Sequence, residues 1–280
     1  MQLQNSAMET FIGSMTIALV LFIVTAFFSF IFRSIVEPAY ILAFNKPVYV
    51  HFYMFPKDVS NESKAVLEKQ FRFYRNLSEI RKKYFRHRVR SFIENYRFVG
   101  REGLEVTEEM KVKIAATAVM LTFGMRNYLP DMFEVIIIYP DVFESSNGDY
   151  HKGEFNPAAR AVVFSWKDFQ EGIEFDSNNL NLGLHEFAHV LHISSVGRLR
   201  LGSSSAIYSD MFKKIAQYVA VPANRDKITH AGYLRDYAYT NQYEFMAVIF
   251  ESFFETPSEF RQRLPELFTM VSRMINYREG

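Results

Sequence analysis

The hydrophobic and polar positions follow two quite different patterns along this chain. Residues 11 to 32, FIGSMTIALVLFIVTAFFSFIF, run 22 positions without a charge. As a helix this run extends about 33 Å at about 1.5 Å per residue, enough to cross the hydrocarbon core of a bilayer. A soluble helix rarely stays apolar on every face for so long. A cleaved signal peptide would carry Lys or Arg ahead of the run and a small-x-small site after it. Here the only charged side chain ahead is Glu9, and no such site follows. The pattern predicts an uncleaved transmembrane helix, with residues 1–33 as a membrane anchor. Arg33 and Lys46 follow the run and no Lys or Arg precedes it. The positive-inside rule then puts the bulk of the chain in the cytoplasm.

Beyond the anchor the pattern becomes mixed. Residues 34–60 carry three prolines and paired aromatics in SIVEPAYILAFNKPVYVHFYMFP, a membrane-proximal segment expected to lie against lipid or against the domain. Residues 61–280 are expected to form one domain. A long helix is predicted from Glu62 to Tyr96, breaking near Asn76–Ser78. A second helix, within GLEVTEEMKVKIAATAVMLTFG (103–124), has Thr107 as N-cap and Glu108 and Glu109 in its first turn, where the helix dipole favours acids. FEVIIIYP (133–140) reads as a strand, β-branched at its centre and stopped by Pro140. NGDY (147–150) reads as a turn, and ARAVVFSW (159–166) as a second strand. Helices follow again. The order helices, strands, helices is that of a mainly helical α+β fold with a small sheet.

Composition narrows the chemistry. The chain has no cysteine, which excludes disulfides, thiolate ligands and cysteine nucleophiles together. Its net charge of +1 gives no argument for a nucleic-acid partner, and none is expected. Charge acts only locally. RKKYFRHRVR (81–90) is either a solvated helix face or a contact for anionic lipid, where each basic residue contributes about 1 kcal/mol.

The chemistry centres on LHEFAHVLH, residues 184–192. On a helix, His185 and His189 project from one side and can bind one ion. Zn²⁺ is the expected ion, since it takes neutral imidazole and about four ligands. Glu186 follows the first histidine and can take a proton from a water whose pKa zinc lowers. This is the pattern of metal-assisted hydrolysis, most often of a peptide bond. Leu182, Leu184, Phe187, Ala188, Val190 and Leu191 make the helix hydrophobic, so its polar groups would be buried and would need partners. The third ligand is open among three residues. His192 shares the helix face, but a straight helix wraps side chains seven apart poorly around one small ion. Glu244 and Glu251 lie on one stripe of NQYEFMAVIFESFFETP (241–257), in heavily apolar company where carboxylates are usually paired or metal-bound. Periodicity does not choose between them.

Several blocks in order carry a resemblance. HEFAH, followed by DYAYTNQYEFMAVIFESFFETP and preceded by GLEVTEEMKVKIAA, IIIYPDVF and AVVFSWKDFQEG, resembles the Mlc titration factor A-like zinc metallopeptidases over roughly residues 65 to 275. The chain is similar, more distantly, to the catalytic domain of anthrax lethal factor, which shares a helix opening with Glu-Phe and a tyrosine seven residues before it. The resemblance implies a zincin-like domain acting on a peptide or protein substrate. It makes His185, His189 and Glu244 the metal ligands, Glu186 the general base and Tyr237 the residue that stabilises the oxyanion. Glu251 then supports the site or joins an ion pair. The chain departs from the family's pattern at His192, where an aspartate is usual, and in ISSVGRLRLGSSS (193–205), expected to edge the cleft. The anchor is an addition to the typical soluble members. Two functions are therefore expected in competition: a membrane-anchored zinc metallopeptidase, or a tethered protein on the same scaffold that captures a partner such as a transcription regulator.

Overall fold

The computed structural model describes residues 2–145, 148–175, 177–196 and 203–278. Helix α1 (Gln2–Ile31) passes through a π-helical turn (Phe32–Val36) into α2 (Glu37–Phe44). The stretch Phe11–Phe44 is long and apolar enough to cross a membrane, with a mean hydropathy of 2.6 in its most apolar part, none of which is buried in the protein. It is a candidate for a single membrane span. Helix α2 behaves differently. Glu37 and Ile41 are buried against the rest of the protein, and Glu37 is ion-paired with Arg126. At Asn45 the backbone turns left-handed (φ 51°), a conformation Asn tolerates, and its N–H caps the helix by donating to the Ile41 carbonyl at 2.7 Å. The chain then doubles back.

Three helices follow: α3 (Asn61–Gln70), α4 (Arg72–Arg75) and α5 (Glu79–Asn95). The break expected near Asn76–Ser78 is present. A second break, at buried Phe71, was not foreseen; its backbone is extended so that the ring can enter the core. Helix α5 carries the basic stretch 81–90, which is not the open basic face its composition suggests. Lys82 pairs with Glu68 and Glu79, Arg86 with Asp58 and the Tyr74 hydroxyl, and Arg90 with Glu94. Arg88 is completely buried.

The sheet comprises β1 (Arg97–Gly100), then, after α6 (Glu108–Thr122), β2 (Val135–Tyr139), β5 (Gly153–Asn156) and β6 (Ala161–Ser165); β3 (Phe143–Glu144) and β4 (Tyr150–His151) form a separate hairpin. Strand order is β1-β2-β6-β5. The first three are parallel, with Val135 opposite both Arg97 and Ala161, and β5 is an antiparallel edge. Parallel neighbours need a crossover, and α6 supplies the one between β1 and β2. The Thr107 hydroxyl accepts from the Met110 N–H at 3.2 Å, as its position predicts, and eleven of the 15 residues of α6 are buried. Of the six strands among the described residues, four were not foreseen. They are short, and only β1 among them carries a β-branched residue. The NGDY turn lies partly outside the described residues.

Beyond the sheet come α7 (Trp166–Glu174), α8 (Leu182–Val196), α9 (Ser204–Ala220), α10 (Pro222–His230), a 3₁₀ turn (Asp236–Tyr239), α11 (Gln242–Glu255), α12 (Pro257–Arg263) and α13 (Pro265–Met274). Helix α8 lies between α6, α9 and α11 and touches β5. Its apolar side chains, among them Phe187 and Val190, join the same core as Val248 and Ile249 of α11. The fold is mostly helical with a small sheet, the α+β class expected. Residues 197–202 of the segment expected to edge the cleft lie outside the described residues.

Candidate metal centre

Helix α8 is started by Asn181. Its side-chain carbonyl accepts from the Leu184 N–H (2.9 Å), and its amide donates to the Gly172 carbonyl (2.8 Å). This N-cap fixes the first turn, and His185 and His189 then face the same way one turn apart, with ring centroids 4.8 Å from each other. Helix α11 is started in the same manner by Asn241, whose side chain accepts from the N–H groups of Tyr243 and Glu244. Glu244 is thereby held in the first turn of α11, where its charge is favoured by the dipole.

The two helix starts bring His185, His189 and Glu244 together. The His185 and His189 Nε2 atoms are 3.2 Å apart. Glu244 Oε2 is 3.0 Å from the first and 3.7 Å from the second. It is buried and makes no well-aligned hydrogen bond. On the other side of its ring, His185 Nδ1–H donates to Glu251 Oε1 at 2.8 Å. That bond fixes the tautomer and leaves Nε2 with a lone pair. With His185 neutral, lone pairs of all three side chains converge on one point, an arrangement that calls for a cation. Ligands about 2.0–2.1 Å from a tetrahedral ion are separated by roughly 3.3 Å, which the observed spacings bracket. Two neutral imidazoles and one carboxylate suit zinc.

The electrostatics agree. Burial works against protonation of His185, but the Glu244 and Glu251 carboxylates carry it up to about 9. Burial and the adjacent His185 push His189 down to about 4. Burial opposes ionisation of Glu244 too, yet the two histidines hold it below the usual carboxylate range. The cluster accommodates a single positive charge between its three side chains.

Glu251 does both things expected of it as alternatives. Its Oε1 takes the His185 proton and is ion-paired with Arg235, while Oε2 accepts from the Asn181 N–H at 2.8 Å. Glu244 and Glu251 thus address opposite nitrogens of one imidazole. Arg235 and Asn181 were missed from the sequence, since their role appears only when three separate segments meet.

Glu186 is buried beside the cluster, and burial pushes its carboxyl up to about 7 against the pull of His185. The edge strand β5 passes directly over it. A Cβ placed on Gly153 would lie 2.8 Å from Glu186 Oε1, so the glycine is required for this approach. Gly153 was also missed; its one sequence signal is an isolated glycine between polar residues. Tyr237, on the 3₁₀ turn, stands half exposed with its ring 5.9 Å from that of His185. Burial and Glu244 raise its phenol, which therefore remains a donor. These groups line an open cleft of about 430 Å³ with Lys152, Gly153 and Arg235 on its walls.

His192 is elsewhere. Its Nδ1 lies 3.2 Å from the Tyr208 hydroxyl, its ring packs on Phe212 and Tyr243, and burial pushes it down to about 4.

Comparison with known proteins adds a family to this geometry. An uncharacterized protein of Synechocystis sp. is 23% identical over 237 residues, covering 79% of this chain and 85% of its own length. Proteins named Mlc titration factor A match less of the chain. That of Klebsiella pneumoniae is 27% identical over 63% of this chain and 72% of its own length, and that of Serratia proteamaculans 26% identical over 61% and 71%. The model of the glucose-regulated metallo-peptidase M90 family matches residues 53–276, which include every residue of the cluster. The chain belongs to that metallopeptidase family, as an Mlc titration factor A-like member.

Proposed function

We propose that this protein is a membrane-anchored, zinc-dependent peptidase with a zincin-like catalytic domain. The observation that carries it is the convergence of His185, His189 and Glu244, with the His185 tautomer fixed by Glu251. In this reading residues 1–33 are the anchor, 34–60 the membrane-proximal segment and 61–280 the peptidase domain, on the cytoplasmic side. His185, His189 and Glu244 hold the ion. Zinc bound there supplies a lowered water pKa and a polarised peptide carbonyl. Glu186, buried beside the cluster, would take a proton from the attacking water and return it to the leaving amine. The Tyr237 phenol donates to the oxygen on which negative charge develops. Glu251, Arg235 and Asn181 hold His185 in place during this exchange.

Glu186→Gln tests the assignment. Zinc content should be unchanged, and peptide hydrolysis should fall by about 10²–10⁴-fold, the usual contribution of a general base. An unaltered rate in the zinc-loaded variant would sink the proposal. The relatives named Mlc titration factor A favour a second reading, in which the domain captures a protein partner at the membrane. Capture by that route should survive Glu186→Gln; its loss in the folded variant would count against the second reading.

A further inference from the structure

After Asn45 the chain returns along α2, and Tyr49 stacks on Phe32 with ring centroids 6.5 Å apart. Phe52 in turn meets Tyr49 edge-on at 6.4 Å. The segment is thus carried back to the level where the span ends. From there its side chains alternate. His51 stacks on Tyr84 (4.9 Å), and Tyr53 packs on His87 (4.0 Å) and accepts from Arg88 at 2.7 Å, so both face the protein. Phe52, Met54 and Phe55 point outward and are 75, 74 and 85% exposed. The backbone behind them is pinned, with Arg88 donating to the Val50 carbonyl and the Lys57 N–H donating to His87 Nδ1. Three large apolar side chains side by side on a fixed loop form a patch that water does not favour. Arg33, next to Phe32 in the chain, is exposed, and cations commonly border the lipid-facing part of membrane proteins.

We propose that residues 52–55 are a second membrane contact, in which Phe52, Met54 and Phe55 insert into the leaflet from which the helix emerges. The occupant of the patch is the lipid bilayer, because the patch is continuous with the span through the Phe32, Tyr49 and Phe52 rings. The contact deepens the proposed function and rests on its reading of α1 as a span. Two attachments, one helix and one loop, fix the face that the domain turns to the membrane, where a helix alone would let it swivel.

The chain has no cysteine, so single labelling sites are clean. Full-length Phe52→Cys and Phe55→Cys, each carrying a nitroxide, are reconstituted into vesicles of phosphatidylcholine and phosphatidylglycerol. Leu19→Cys marks the span, and Val221→Cys marks the exposed connection from α9 to α10. Collision with oxygen, relative to a water-soluble nickel chelate, should be severalfold higher at 52 and 55 than at 221, and should approach the value at 19. Aqueous values at 52 and 55 with a lipid value at 19 overturn the loop contact and leave the anchor standing. Aqueous values at all of them overturn both. Spin–spin broadening at 52 and 55, with both probes excluded, shows a second copy covering the patch and overturns the proposal.

Discussion

Every nitrogen of the buried Arg88 guanidinium faces an acceptor. The guanidinium donates to the Tyr53 hydroxyl and to the carbonyls of Val50, Thr122 and Phe123, and lies 4.3 Å from the centre of the Tyr128 ring. Two of those carbonyls belong to the last turn of α6, where helix groups lack internal partners and a cation suits the dipole. Its neighbour His51 is kept neutral, pushed down to about 3 by burial and then by Arg88. Around His185 two nitrogens and an oxygen crowd one point, and with the ring neutral acceptor faces acceptor. The first cluster is buried and the second half-buried, and both join distant segments. Matched polarity makes the first a structural fastener, whereas unmatched polarity makes the second a receptor for an ion.

Substitutions should separate the two. His189→Ala removes one converging donor, and zinc should fall from about one per chain to near none, by metal analysis, with hydrolysis abolished and the fold retained. Zinc retained at full occupancy would contradict the ligand set. Arg88→Met leaves buried carbonyls without donors and should destabilise the protein in urea unfolding by about 1–3 kcal/mol for each acceptor left unpaired. The folded fraction should bind zinc as before; a matching loss of zinc affinity would show the clusters are one. Glu251→Gln keeps the shape but loses the charge behind His185, so zinc affinity should weaken by about 10–100-fold in chelator competition. Tyr208→Phe removes only the contact to His192 and should cost about 0.5–1.5 kcal/mol with zinc affinity unaltered. A shift in zinc affinity there would return His192 to the site.

What the sequence could reveal follows from how local each feature is. The helix at HEFAH, the Thr107 cap and the apolar run are written within single segments, and periodicity finds them. The choice between Glu244 and Glu251 is not local. They are seven residues apart on one stripe, and both touch His185, one at each nitrogen. Only the placement of α11 against α8 separates ligating geometry from support. Arg88 was hidden for a related reason. It sits in a run of cations that looks solvated, and the carbonyls that receive it come from the end of another helix. The edge strand β5 escaped because GEFN has neither alternation nor β-branched residues; its position is set by pairing with β6 and by the room Gly153 leaves over Glu186.

The helix that begins at Gln2 continues without a hinge through the π-helical turn into α2, and Glu37 clamps α2 to Arg126. If α1 spans a bilayer, the span and the domain move as one lever. A helix longer than the local hydrocarbon thickness tilts to fit. With the helix as sole attachment, its tilt would swing the whole domain, and with it the mouth of the cleft, to different angles in thin and thick membranes; the loop contact at residues 52–55 would oppose that swing.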